Sequence, residues 1–364
     1  MKDNSNAPVK RTLSVRFLIL LTFNIVIIVS LFYAFEVYLR ITDPRAKLPR
    51  NEIVEDPQNP EKKEYYTWGH LVELNSDDFR ERELPKNKPS GVYRVMVLGD
   101  SFTFGNGLAI NERYTNLLEV HLNNEFSGTG VRYEVWNFGI EGVPTVSEKN
   151  VLRFYKDRLA PDLIVVGFCL NDTQVKGQGY SVEKEAFDNN WRPLIMSVKT
   201  KLTYLGLRIT GEVIEKAVYR LAERAWAIPT WQVALARTYE QASVEWKKFS
   251  LALKEIKAMS DSLKLPPPIF AILNQATYTD RPTDYRDPDF ELERFLNWYA
   301  LAENAARETG FRAYDHTVET AIELSKEPIA INVMDPHPSP ALNKLYAEKL
   351  FNIIKTEYLN DKKN

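Results

Sequence analysis

A chain of 364 residues with 44% hydrophobic and 26% charged residues has the composition of a folded globular protein, not a disordered one. Its 47 Lys and Arg against 49 Asp and Glu leave a formal net charge of −2, which argues against a nucleic-acid binder, whose footprint is a marked basic excess. The single cysteine, Cys169, excludes an internal disulfide framework and a thiolate metal cluster, and four histidines leave little room for a His-rich metal site.

The first element is apolar. Phe17 to Phe35 is a run of 19 residues without a charge. As a helix it would span roughly 28 Å, close to the ~30 Å of a bilayer core. A transmembrane anchor, a cleaved signal peptide and a buried core helix all fit such a run. Its length, the lack of a small-x-small cleavage site after it and the helical character of Glu36-Val-Tyr-Leu-Arg40 favour the anchor, with residues 1–16 as a cytoplasmic tail. Lys and Arg are balanced across it: Lys2, Lys10, Arg11 and Arg16 precede it, and Arg40, Arg45, Lys47 and Arg50 follow. The nearest charges, Arg16 before and Glu36 after, tip the orientation toward N-terminus inside, which puts the body of the chain outside the cytoplasm.

Residues 36–90 are rich in proline and charge, and read as a juxtamembrane stalk with some short strands. From residue 91 to about 360 strands alternate with helices. Strands are expected at Tyr93–Leu98, Tyr133–Asn137, Leu163–Phe168, Pro268–Leu273 and Arg312–Asp315, and helices at Arg113–Asn124, Ser147–Tyr155, Ser243–Leu263, Leu292–Thr309 and Pro340–Tyr358. The unbroken apolar character of Leu163–Phe168 is that of a strand covered on both faces. The alternation predicts an α/β fold, a three-layer sandwich around a parallel sheet.

A helical block at about 175–238 interrupts the alternation. Val198, Leu202, Leu205, Ile209, Val213, Ala217 and Leu221 lie three or four apart on one stripe, which Gly206 and Gly211 should break. The block reads as a solvated helical insertion packed on the sheet. A cap over the active site or a surface resting on anionic headgroups are the alternatives. Trp191, Trp226 and Trp231 within it are either buried cap residues or platforms for sugar rings.

Gly99-Asp100-Ser101 follows the first core strand directly. A serine at the carboxyl end of a parallel strand, opening the next helix, faces the crevice where open α/β sheets bind ligands. Its own N–H and the helix N-terminus point at whatever negative charge develops there. A serine hydroxyl needs a base. His337, in Asp335-Pro-His337 just before the last helix, is the best placed, with Asp335 two residues away to orient it. Asp315-His316 is a rival pair, while His70 and His121 have no motif around them. Acyl transfer also needs donors for the oxyanion. Two turns after strands can supply them: Asn137-Phe-Gly139-Ile-Glu-Gly142, through a glycine N–H, and Cys169-Leu-Asn171-Asp172, through the Asn171 amide. No glycine loop cradles a phosphate, since Gly99-Asp100-Ser101 lacks the lysine of a P-loop, so no cofactor is expected.

The order Gly99-Asp100-Ser101, Asn137-x-x-x-x-Gly142, Asn171-Asp172, Asp335-x-His337 resembles the SGNH, or GDSL-type, hydrolases over about Tyr93–Tyr358. Leu74-Asn-Ser-x-x-Phe79-Arg80 is similar to the membrane-tethered bacterial branch. The resemblance implies a flavodoxin-like α/β/α sandwich and ester hydrolysis, with acyl transfer in some branches. It implies Ser101 as nucleophile, His337 as base and then acid, and Asp335 as the orienting acid. Ser101 N–H, Gly142 N–H and the Asn171 side chain become the oxyanion hole. Two departures stand out. Cys169 occupies the position of a common glycine, and Met334 that of the common acid, for which a backbone carbonyl near Met334 could partly substitute.

A membrane-anchored serine esterase acting on O-acyl, above all O-acetyl, esters of a cell-envelope or exported glycan, or of a lipid, is therefore expected. An O-acetyltransferase using the same site differs only in whether a sugar or water attacks the acyl-enzyme. A non-catalytic glycan-binding assembly protein on the same fold would be expected to lose Ser101, His337 or the oxyanion donors, all of which are present. The sequence carries no signal of oligomeric state.

Overall fold

The structure, a computed structural model, describes residues 9–42, 52–56, 59–175, 181–274, 292–324, 327–332 and 335–359. The tail up to residue 8 and Met334 lie outside them. The chain begins with α1 (Val9–Thr42), β1 (Glu52–Asp56), β2 (Asn59–Thr67), β3 (His70–Val72), β4 (Val92–Gly99), α2 (Ser101–Phe104) and α3 (Tyr114–Glu125). There follow β5 (Arg132–Gly139), α4 (Thr145–Leu159), β6 (Leu163–Phe168), α5 (Val182–Tyr204), α6 (Arg208–Arg224), α7 (Trp231–Thr238) and α8 (Val244–Ser262). The last elements are β7 (Ile269–Ile272), α9 (Leu292–Thr309), β8 (Arg312–Tyr314), α10 (Thr317–Glu323), β9 (Ala330–Asn332), β10 (Asp335–Pro338) and α11 (Pro340–Ile354). Two compact units result, one within Met1–Leu48 and Val182–Ile228, the other within Pro49–Ser181 and Pro229–Asn364.

The larger unit is the expected three-layer sandwich. Its five strands are all parallel and run in the order β5-β4-β6-β7-β8. Counted along the sheet's own strands this is 2-1-3-4-5, the flavodoxin-like order. Alternate residues of each strand face opposite sides. Met96, Leu98, Ile164 and Val166 pack against Leu152 of α4, Leu253 of α8 and Trp298 of α9. Val95, Val97, Leu163 and Val165 pack against Leu118 of α3 and Leu342 and Leu350 of α11. Both faces are dry, which explains why the strands read as continuous apolar runs. The chain leaves β4 toward β5 on one side and reaches β6 on the other. The carboxyl ends of β4 and β6 therefore flank the point where the winding reverses, where such sheets place their ligands.

Two smaller sheets flank this core: antiparallel β1-β2-β3, from the stretch read as a stalk, and the antiparallel pair β9-β10. In the smaller unit α5 packs on α6, and α6 on α1. The single stripe read over Val198–Leu221 is two helices, broken at Gly206, whose φ of 77° only glycine adopts readily. Gly211 does not break it. It lies in the first turns of α6, where a Cβ would sit 3.4 Å from the Lys199 carbonyl oxygen, so its small size lets the two helices approach. α7, read with the insertion, contributes Leu235 to the sandwich core.

Candidate active site

Asp100 leaves the end of β4 and caps α2, its Oδ1 accepting from Phe102 N–H at 2.9 Å. Ser101 is the first residue of that turn, so its N–H lies outside the helical ladder. Gly139 lets α2 lie against the end of β5, since a Cβ there would come within 2.2 Å of Phe104 N. Asn137 fastens the same turn by donating to the Thr103 carbonyl at 2.6 Å. Behind it the guanidinium of Arg80 holds the carbonyls of Gly105 and Leu108 at 2.8 and 2.7 Å. Local chemistry also explains where β10 stops. Ser339 caps α11 by accepting from Leu342 N–H, and Pro340 fills the first helical position, which needs no donor.

Ser101 Oγ lies 2.9 Å from His337 Nε2, although 236 residues separate them. His337 Nδ1 is hydrogen-bonded to Asp335 Oδ1, which also accepts from the His337 backbone N–H at 3.1 Å. The Phe102 ring meets the imidazole edge-on at 5.4 Å. Burial disfavours the imidazolium. The Asp335 hydrogen bond and charge, helped by Asp100 and Glu141, outweigh it and hold the His337 pKa above its ordinary 6.5. The rival pair is spent elsewhere: His316 bonds Glu319 at 3.0 Å, and Asp315 accepts from Thr317 N–H.

Asn171 follows β6 and donates through Nδ2 to Asp100 Oδ2 at 3.0 Å, an oxygen that also lies 3.3 Å from Ser101 Oγ. The amide and the hydroxyl thus flank one carboxylate oxygen. Cys169 Sγ lies 2.6 Å from Asn171 Oδ1, so the thiol at the usual glycine position takes the amide oxygen and leaves the NH₂ turned toward Asp100. Burial, then the charges of Asp100 and Asp172, push the Cys169 pKa up and keep the proton that makes this bond. Gly142 follows β5 in a turn with φ of 71°, and nothing stands within 4 Å of where a Cβ would be. Asn171→Ala is expected to lower kcat by about 10²–10³, as loss of one oxyanion donor does. Steady-state turnover of p-nitrophenyl acetate checks this, and a loss under about tenfold would leave Asn171 a turn residue only.

Sequence reasoning missed a residue. Trp68 and Gly69 form the two-residue turn between β2 and β3, with φ of 47° and 85°. Positive φ at both positions is the type I′ pattern, for which Asn-Gly is preferred and a bulky first residue is an outlier. The strain persists because the indole is 3% exposed and its Nε1–H donates to Asp335 Oδ2 at 2.6 Å. The same hairpin supplies Thr67, which donates to Asn106 Oδ1 at 3.2 Å, and Tyr65, which donates to Glu141 at 2.9 Å. A tryptophan before glycine inside a short strand pair was the available signal. Hydrogen bonds to charged groups contribute roughly 1.5–3 kcal/mol. Trp68→Phe is accordingly expected to lower kcat about tenfold or more with KM little changed, measured on the same ester. An unchanged kcat would reduce Trp68 to packing.

Near Ser101 the acidic side chains of Asp100, Glu148 and Asp172 are buried together. Burial, then the negative charge of Asp100, raises the Glu148 pKa well above 4.5, and no cation pairs with it among the described residues. In the unfolded chain this carboxyl ionises at its ordinary value, so the folded state loses stability as pH rises past that value. Glu148→Gln is expected to raise Tm more at mildly alkaline than at mildly acidic pH in paired thermal melts. Asp100, Cys169 and Asp172 also present ligand atoms within 4.8 Å of one another, a spacing that suits a metal ion. All three are already engaged in hydrogen bonds: Asp172 accepts from Cys169 N–H at 2.8 Å, and Asp100 takes Phe102 and Asn171.

The family model described as GDSL-like Lipase/Acylhydrolase family matches residues 97–345. The chain belongs to that family and is a serine hydrolase acting on ester bonds. Solved structures similar to it include the acetyl xylan esterase AlAXEase, at 12% identity over 72% of this chain and 99% of that one, with a TM-score of 0.41. TesA is similar at 14% identity, over 72% and 98%, with a TM-score of 0.39. A catalytic mutant of Axe2, an acetylxylan esterase from Geobacillus stearothermophilus, is similar at 15% identity, over 75% and 98%, with a TM-score of 0.42. No curated relative matches the chain.

Proposed function

We propose that this chain is a membrane-anchored esterase that removes small acyl groups, acetyl above all, from a cell-envelope or exported glycan through an acyl-enzyme on Ser101. The observation that carries the reading is the continuous chain Ser101 Oγ, His337 Nε2, His337 Nδ1, Asp335 Oδ1. His337 takes the Ser101 proton as Oγ attacks the ester carbonyl. Negative charge then forms on the former carbonyl oxygen, and Ser101 N–H, Gly142 N–H and the Asn171 amide receive it. His337 returns the proton to the departing sugar oxygen, which leaves as the hydroxyl. Water, deprotonated by the same imidazole, attacks the acyl-Ser101, and the second tetrahedral intermediate collapses to release the acid as His337 gives its proton back to Ser101 Oγ.

The membrane part of the reading rests on α1. Phe17–Thr42 has a mean hydropathy of 2.5 in its most apolar window, none of it buried, and is long enough to cross a bilayer. An anchor confines the enzyme to substrates at the membrane face, and Arg16 before the span with Glu36 after it favour a body outside the cytoplasm. The test uses full-length protein in nanodiscs, an acetylated oligosaccharide and an unacetylated acceptor, beside Ser101→Ala. Mass spectrometry follows acetate and acceptor. Ser101-dependent acetate release supports the proposal, acetylated acceptor makes the protein a transferase, and neither product sinks both.

A further inference from the structure

We propose that the α5–α6 hairpin is an interfacial membrane-binding element, its turn at Tyr204–Leu207 seated in the headgroup boundary of the bilayer that α1 crosses, its partner an anionic lipid surface. This rests on the reading of α1 as a membrane span and goes beyond it.

Three side chains of α1 set the level of the hairpin. Tyr33 donates its hydroxyl to the Leu205 carbonyl at 2.8 Å, and Arg40 donates to the Gly206 carbonyl at 3.0 Å. Between them Glu36, buried although it closes the apolar run, accepts from the N–H groups of Ile209 and Thr210 at 3.3 and 2.7 Å and from the Thr210 hydroxyl at 2.8 Å. A carboxylate at the first N–H groups of α6 satisfies orphan donors and suits the positive end of the helix. At about 1.5 Å per residue, Tyr33 lies roughly 24 Å along the axis from Phe17 and Arg40 roughly 35 Å. A hydrocarbon core of about 30 Å ends between them. The turn that bonds both residues therefore sits at the boundary, where carbonyls at the end of α5 find little water and need such donors.

The turn and the approach to it carry the surface this position calls for. Tyr204 is 86% exposed and Leu205 60%, and Trp191, Leu194 and Val198 line one exposed stripe of α5 leading to it. Aqueous surroundings would leave these side chains uncovered, while a lipid interface accepts tyrosine, tryptophan and aliphatic groups. Charge agrees. Residues 189–211 hold Arg192, Lys199, Lys201 and Arg208 and no acid. Lys199 is paired with Glu215 of α6 at 2.8 Å, and the stretch as a whole still carries one sign of charge beside exposed apolar groups, which complements anionic headgroups.

The test places a cysteine in the full-length chain at Tyr204 (Tyr204→Cys) and, separately, at Phe23 (Phe23→Cys), each labelled with an environment-sensitive fluorophore. Cys169 is buried, so the wild-type chain is the unlabelled control. The proteins are reconstituted in phosphatidylcholine–phosphatidylglycerol vesicles carrying spin-labelled lipid quenchers at shallow or deep positions. The Tyr204 label is expected to emit at shorter wavelength than in detergent-free buffer and to be quenched by the shallow probe, the Phe23 label by the deep one. A Tyr204 label that stays water-like while Phe23 is quenched overturns the hairpin proposal and leaves the anchor standing. If neither is quenched, the anchor reading falls and this inference with it.

Discussion

Ser101→Ala is expected to reduce ester turnover by about 10⁴- to 10⁶-fold, and His337→Ala to match it within about tenfold. The two losses should not add. Ser101 Oγ and His337 Nε2 are 2.9 Å apart, and neither has a use in the first step without the other. Once the serine is gone, the imidazole has no proton to take. The double variant should therefore be no worse than either single one, its residual activity coming from the remaining oxyanion donors and substrate binding. Burst and steady-state kinetics with p-nitrophenyl acetate, on variants whose thermal melts match the parent, measure this. Additive losses, or a Ser101→Ala enzyme at full rate, would reject the acyl-enzyme route.

The second large effect belongs to Asp335, and its signature is in the pH profile as well as the rate. His337 acts as a base only when neutral. Burial pulls its pKa down, and the Asp335 hydrogen bond and charge pull it up more. With the balance upward, activity is lost on acidification at a higher pH than an ordinary histidine would give. Asp335→Asn removes the largest opposition to burial, leaves only the charges of Asp100 and Glu141 against it, and moves the acid limb of kcat/KM to lower pH. It also allows the wrong imidazole tautomer, so kcat at the optimum is expected to fall by about 10³–10⁴, less than for Ser101→Ala. A fall in kcat with an unmoved acid limb would mean that Asp335 only holds the loop. Trp68→Phe should shift the limb little, because it removes a donor to Asp335 but leaves the carboxylate charge beside the ring.

The two perturbations separate what each layer of the site contributes. In the proposed mechanism Ser101 and His337 exchange the proton and Asp335 sets when the imidazole can accept it, while Trp68 donates to Asp335 from the other side. The hairpin that carries Trp68 also carries Tyr65, whose hydroxyl meets Glu141, the neighbour of Gly142. One short sheet thus touches both Asp335 and the turn that carries Gly142.

Much of this was legible in the chain itself. Apolar runs place β4, β5, β6, β7 and β8 within a few residues, because burial on both faces of a parallel sheet imposes such runs. Ser101 and Asn171 were legible as candidates because each follows a strand whose carboxyl end a 2-1-3-4-5 sheet brings to one edge, and Asp335 and His337 because they directly precede α11, on β10 of the separate β9-β10 pair. What only the tertiary structure decided depends on partners far apart in sequence. Trp68 meets Asp335 across 267 residues, and Glu36 meets Thr210 across 174. Neither contact leaves a periodic trace, since a single hydrogen bond between distant segments constrains one side chain on each and no pattern along either. Local sequence determined the elements and the order of the reactive groups; the packing of distant segments determined which of their polar atoms found a partner.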